Sequence, residues 1–361
     1  MEKYSVDHLR RLGLSRRVSQ SREISIKPQN FLQAFDFNLL IGKKDREGNK
    51  HIPGFYSLGK SCIKDEMETV AELGIKGVSL RIIDNAVGKF SDWKRHRSKW
   101  IEEIEDVNEF GKKCGLQVIV DPFSIGLQDS GQWGILNTME ESETLDLIEN
   151  ISEVMRITGV DGVITLGRVP KEVFVTKRSI GESVKLYSFS NNNETSTAYA
   201  GNISKTNTMQ KIIPSNIKDM IAWSMMDIHH GSDFIVTKPL ENYHVSEATR
   251  KALSSVDEIK EFLSDYLLLN ENYLSKFELE AIKDVKNNPN LFLKKYNSIS
   301  FGAYMVSGST QMLAIYAKHE GVNIARCRLE EMWLNAILAN GDGSFIIDRG
   351  CKDFFSGSIL H

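Results

Sequence analysis

A single lysine closes a short apolar run in Gly231-Ser232-Asp233-Phe234-Ile235-Val236-Thr237-Lys238-Pro239. Residues 234–237 have the length and composition of a buried strand. Pro239 has no N–H to donate, so ladder pairing ends directly after the lysine. A lysine delivered at such a place is costly to bury as an ammonium, which drives the amine toward its neutral form. A neutral amine can attack a carbonyl and form a Schiff base. The alternative, a lysine whose stem packs along the strand end while its head reaches water, stays open on this stretch alone.

Other candidate groups carry less. His229-His230 end a segment of helical period, where histidines cap or complement a helix C-terminus. Glu102-Glu103 and Glu105-Asp106 read as a solvated helix face. The four cysteines, Cys62, Cys114, Cys327 and Cys351, form no C-x-x-C pair. They offer neither a disulfide framework nor a zinc knuckle, and they suit a reducing, cytoplasmic setting. A net charge of −3 over 361 residues argues against a nucleic-acid binder. No apolar stretch approaches bilayer length, and Met1-Glu2-Lys3-Tyr4 lacks the apolar core of a secretion signal, so no membrane partner is expected.

The elements that must position Lys238 recur in a regular rhythm. Strand-like runs fall at 31–38, 77–82, 116–122, 162–167, 184–190, 234–239, 299–308 and 344–348. Helical periodicity lies between them at 65–73, 99–114, 141–158, 217–229 and 326–339. Eight strands alternating with helices predict a closed (β/α)₈ TIM barrel spanning 31–361. The competing open doubly wound sheet lacks a G-x-G-x-x-G after its first strand. Residues 1–30 are polar and carry Arg10, Arg11, Arg16, Arg17 and Arg22. They read as an arm leaving the barrel to embrace another subunit, or as a disordered tail. Residues 190–211, rich in Asn, Ser, Thr and Gly, read as a lid or a surface loop. Residues 244–290 read as a helical insertion.

With the strands in place, several fragments together resemble the porphobilinogen synthase (5-aminolevulinate dehydratase) family. Ser21-Arg22-Glu23-Ile24-Ser25-Ile26 is similar to its R-E-T-x-L lead, and Ile52-Pro53-Gly54 with Leu73-Gly74-Ile75 to its M-P-G-V and L-G-I pair. Asp121-Pro122-Phe123 with Gly131-Gln132-Trp133-Gly134-Ile135-Leu136 resembles D-P-F-T-x-H-G-Q-x-G-I-L. Gln210 with Pro214-Ser215-Asn216 echoes Y-Q-M-D-P-A-N. Asp227 through Pro239 resembles D-x-x-E-G-A-D-M-V-M-V-K-P, and Ala303-Tyr304-Met305-Val306-Ser307-Gly308 resembles A-Y-Q-V-S-G. The resemblance implies a (β/α)₈ barrel with an N-terminal arm, assembled as a homo-oligomer, that joins two 5-aminolevulinate molecules through two Schiff-base lysines. Lys238 then takes the place of one lysine, Ser307 and Tyr304 that of the pocket holding the first substrate's carboxylate, and Tyr187-Ser188 that of the Y-S in S-Y-S-A-K.

Departures from that pattern fall on the chemistry. The second lysine of Y-S-A-K is Ser190, and the aspartate pair of A-P-S-D-M-M-D-G-R is replaced by Ile164-Thr165-Leu166-Gly167-Arg168-Val169-Pro170. The three zinc-cysteine positions read Ile119, Asp121 and Trp133, which removes a thiolate zinc site. No cofactor is required on this reading. Asp121 can still orient a substrate amine or a hydrated Mg²⁺, or serve as a structural strand-end carboxylate. Lys205 is the best placed substitute amine, against the plainer reading of a solvated surface lysine. The expected protein is a lysine-dependent condensing or dehydrating enzyme acting on an amino ketone or keto acid, with an altered second substrate. A genuine 5-aminolevulinate dehydratase and a non-catalytic homologue that binds a keto acid are the alternatives.

Overall fold

The structure, a computed structural model, describes residues 25–48, 55–128, 133–135, 141–192 and 216–357, apart from the side chains of Ser190 and Ser307. Eight parallel strands close on themselves. They are β1 (Phe31–Asn38), β4 (Gly77–Ile83), β5 (Gln117–Asp121), β6 (Gly162–Thr165), β7 (Lys185–Asn192), β8 (Phe234–Lys238), β9 (Ser300–Tyr304) and β10 (Phe345–Asp348). Each pairs with the next, and β10 pairs with β1, which makes the sheet a (β/α)₈ barrel as predicted. A small hairpin, β2 (Arg46–Gly48) and β3 (Tyr56–Leu58), is added at the mouth. There β3 takes up Asp36 and Phe37 of β1 beyond the point where β10 stops.

The register explains the interior. Parallel partners point to the same face, so the pairs Ala34↔Ser79, Asp36↔Arg81 and Arg81↔Asp121 share the lumen. Val78, Leu80 and Ile82 alternate with them and join the outer core beneath the helices. The lumen is filled in layers, as barrel interiors require. Tyr187, Phe234 and Phe345 form an aromatic floor, with Tyr187 stacked on Phe234 at 4.2 Å and edge-on to Phe345 at 5.6 Å. Gly162 and Gly302 make room for it, because a Cβ at either would collide with the Tyr187 or Phe345 ring. Ile119, Ile164, Val236 and Ile347 add an aliphatic middle. The layer above them is largely polar.

Helices α1 (Lys60–Glu72), α2 (Phe90–Lys113), α3 (Ser142–Thr158), α4 (Glu172–Ile180) and α5 (Ile217–His229) follow successive strands. Four helices, α6 (Tyr243–Ala252), α7 (Val256–Asn270), α8 (Lys276–Asn287) and α9 (Pro289–Tyr296), occupy the chain between β8 and β9. They share a separate apolar cluster with α5, including Met225, Ile259, Leu263, Tyr266, Ile282 and Phe292. Then come α10 (Ser307–Glu320), α11 (Val322–Asn340) and, after β10, α12 (Cys351–Ser356). The strand predicted at 299–308 ends at Tyr304, and Ser307 instead opens α10, a correction to its placement. Leu313 and Ala317, four apart and buried, give that segment a helical stripe. The expected arm lies outside the described residues up to residue 24, and Ile26 packs on the core. Among the described residues no helix is long and apolar enough to cross a membrane.

Candidate active site

Lys238 ends β8, the sixth barrel strand, and Phe234 and Val236 alternate with it on the luminal face. Thr237 points the other way, where its hydroxyl meets Ser246 Oγ at 2.6 Å and accepts from Asn191 Nδ2 at 3.2 Å. These contacts fix the strand end against α6 and β7, and so they aim Lys238 inward. Its side chain is buried, and the amine stands 5.6 Å from the centre of the Tyr304 ring. The snorkelling alternative is thereby set aside.

Around the amine lies a cavity at the carboxyl end of the barrel. Its wall includes Ser79, Arg81, Asp121, Tyr304 and Arg349, with Ala34, Phe35, Ile164, Leu166 and Phe189 as the apolar part. Of the expected site residues, the structure brings Lys238, Tyr304 and Asp121 together there. Tyr187 and Ser188 do not line the cavity. Tyr187 points inward but in the aromatic floor, and burial pushes its phenol well above the ordinary range. Ser188 faces outward and donates to Asp227 of α5 at 2.5 Å. The period of two in a strand explains both corrections: a shift of one residue changes the face and a shift of two changes the layer. Ser190 lies in β7, near the irregularity between Ser188 and Asn191, and Ser307 begins α10; the side chains of both are outside the described residues. Lys205 is also outside them.

Two arginines, Arg81 and Arg349, line the cavity and a third, Arg168, stands behind Asp121; their charge was not anticipated. Arg81 binds Asp36 through Nε at 2.9 Å and through Nη2, and Arg349 reaches the same carboxylate through Nη1 at 3.4 Å. Burial alone would raise the Asp36 carboxyl, but the two guanidiniums outweigh it and hold it below the ordinary carboxylate range. Arg349 is further placed by Gln33, whose Nε2 donates to its carbonyl at 2.7 Å, and by the Phe55 ring 4.2 Å from its guanidinium. Arg168 lies under the Asp121 edge. Its Nη1 donates to Glu172 at 2.9 Å and its Nη2 to Asp121 Oδ1 at 3.3 Å, between the rings of Phe123 and Trp133. Burial leaves the Glu172 carboxyl above its ordinary range despite that partner. One signal could have revealed Arg81: it shares with Ser79 the luminal parity of a strand whose other face, Val78, Leu80 and Ile82, is apolar.

The three positions that the resemblance aligns with zinc cysteines are otherwise engaged. Ile119 belongs to the lumen's aliphatic layer, Trp133 gives its Nε1 to the Phe123 carbonyl at 2.6 Å, and Asp121 is engaged by Arg168 and the Phe123 N–H. No three His, Cys, Asp or Glu side chains converge as a metal site among the described residues. His230 packs on Phe277 at 4.7 Å, on the outer face near the end of α5.

Fold and cavity together define a (β/α)₈ barrel with a buried lysine at its carboxyl mouth, where barrel proteins place their sites. No protein-family model matches the chain, and no curated protein matches it. Among solved structures, it is similar to delta-aminolevulinic acid dehydratase (porphobilinogen synthase) from Toxoplasma gondii ME49, crystallised in complex with the reaction product porphobilinogen. That likeness has a TM-score of 0.67, covers 99% of this chain and 92% of the other, and comes with 13% identity. The chain therefore shares the porphobilinogen synthase fold.

Proposed function

We propose that the protein is a Schiff-base enzyme of the porphobilinogen synthase type, acting on an amino ketone or keto acid. The observation that carries this reading is the buried Lys238 side chain lining the cavity at the barrel mouth. Lys238 Nζ adds to the ketone carbon and gives a carbinolamine. Loss of water, made from the carbonyl oxygen and two protons, leaves the imine. The Tyr304 ring and the apolar wall keep bulk water from the amine.

The fold likeness supports a lyase or condensing activity by analogy alone. Ser190 in place of the second lysine favours an altered second substrate, because a serine cannot form an imine. The test is sodium borohydride reduction in the presence of a panel of amino ketones and keto acids, followed by peptide mass spectrometry. The expected adduct sits on Lys238 and weighs one carbonyl compound less one oxygen. It is absent from Lys238→Met. No adduct on Lys238 with any compound would instead favour the non-catalytic homologue.

A further inference from the structure

Strand β8, which ends on Lys238, lies between β7 and β9. From β7 the cavity wall takes Phe189, and from β9 it takes Tyr304. The Tyr304 ring stands 5.3 Å from the Phe189 ring and 5.6 Å from the Lys238 amine. The next strand, β6, contributes Ile164 and, just past its end, Leu166. Ile164, Leu166 and Phe189 are buried and share one apolar cluster with Val236. Polar residues of the same strands turn the other way: Thr165 follows Ile164 at the opposite parity, and Ser188 donates to Asp227 on the outer side. Among the described residues, further charge reaches the wall from farther round the barrel: Asp121 of β5, Arg81 of β4 and Arg349 after β10. Asp121, the one carboxylate among them, already accepts from Arg168 Nη2 at 3.3 Å and from the Phe123 N–H at 3.2 Å. The A-P-S-D and S-Y-S-A-K motifs that this chain resembles hold Ala, Ser and Ala where it has Ile164, Leu166 and Phe189, so apolar bulk stands in place of small side chains.

A carbon in the act of bonding Lys238 Nζ lies in this apolar half of the cavity, and so do the atoms attached directly to it. An alkyl group there exchanges water for side chains of its own kind. An ammonium there would shed its water with no carboxylate or carbonyl of Ile164, Leu166 or Phe189 side chains to replace it, the costly case for a buried charge. A polar group several bonds farther out reaches the distant, polar arc and meets no such penalty. We propose that Ile164, Leu166 and Phe189 form a specificity wall that admits an alkyl substituent on the reacting carbon and refuses an α-ammonium. The substrate class narrows accordingly, from amino ketones and keto acids together to ketones without an α-amino group. This assignment rests on the Schiff-base reading for the position of the carbonyl, but the wall's preference can be measured without the imine.

The test uses the full chain with 4-oxohexanoate and 5-aminolevulinate, which differ only in a methyl group against an ammonium beside the methylene next to the ketone. Their carboxylates are the same and cancel in the comparison. Both are titrated calorimetrically into the wild type and Lys238→Ala, and both are trapped on the wild type with borohydride. Leu166→Asn, Leu166→Met and Ile164→Thr are compared, with melting curves to verify folding. The alkyl ketone should bind at least ~10-fold more tightly than the amino ketone, in the wild type and in Lys238→Ala. Leu166→Asn should cut that ratio about 5- to 10-fold, the size of one hydrogen bond, and Ile164→Thr should lower it in the same direction. Leu166→Met, which changes shape but stays apolar, should keep it. Equal binding of the two compounds overturns the assignment, as does a ratio unaltered in both folded polar variants, or no binding of either compound. If borohydride traps both equally on Lys238, the Schiff-base reading stands and the wall fails. If no adduct forms but the alkyl preference persists and falls in Leu166→Asn, the wall stands and the imine fails.

Discussion

Replacing Asp36 with asparagine tests the electrostatics of the cavity directly. The carboxylate is buried against Arg81 at 2.9 Å and Arg349 at 3.4 Å. Asparagine keeps the shape and one acceptor but removes the charge, which leaves two guanidiniums facing each other in a poorly solvated layer. Breaking a buried ion pair from one side costs about 3–5 kcal/mol. Arg81 is a quarter exposed, so the lower half of that range applies, about 3 kcal/mol. For 361 residues, an unfolding entropy of ~2.1 cal/mol/K per residue gives ~0.76 kcal/mol/K, so the melting temperature should fall by about 4 °C. The pH dependence follows from the lowered Asp36 carboxyl. A group whose folded affinity for protons is depressed stabilises the fold above its unfolded value, ~3.9, and that contribution is lost as pH falls through the folded value. The gap between wild type and Asp36→Asn should therefore hold from pH 8 to 5 and close only in strong acid. Differential scanning calorimetry at pH 7 and pH 5 reads it. A melting temperature within 1 °C of wild type at pH 7 would show that the arginines do not depend on Asp36.

Three further outcomes are expected. With 5-aminolevulinate, a pyrrole colour assay should show turnover at least ~10³-fold below an ordinary porphobilinogen synthase, the cost of one lost covalent activation; comparable turnover would mean another residue replaces the missing lysine. His230 is held down to about 4, first by burial and then by His229 and Lys295, so its contribution is complete above pH 6.5 and drains as pH falls toward 4, by at most about 3 kcal/mol. His230→Phe, packed between Phe174 and Phe277, should keep the neutral-pH melting temperature and flatten its decline between pH 6.5 and 4; an unchanged slope in calorimetry would refute this. Deleting residues 1–24 should shift the species seen in light scattering toward smaller assemblies, and an identical monomer before and after would refute a role for that segment in oligomerisation.

Local chemistry sufficed for the barrel and for its lysine. The run 234–237 is apolar, Pro239 stops it, and the spacing of strands and helices needs no long-range information; the helix predicted at 217–229 is α5 to the residue. Layer and face were harder. Tyr187 and Ser188 sit on the right strand but in the floor and on the outside, because a strand's pleat converts an offset of one or two residues into a different environment. Ser307 begins a helix rather than ending a strand, since the stripe that decides it lies six and ten residues further on. The arginine cluster was not legible in any local window. Asp36 meets Arg81 across 45 residues and Arg349 across 313, and only closure of β10 on β1 brings the ends of the sheet together. Periodicity encodes which residues face inward, whereas barrel closure and register decide which inward residues share a layer, and the charge around Lys238 depends on the second.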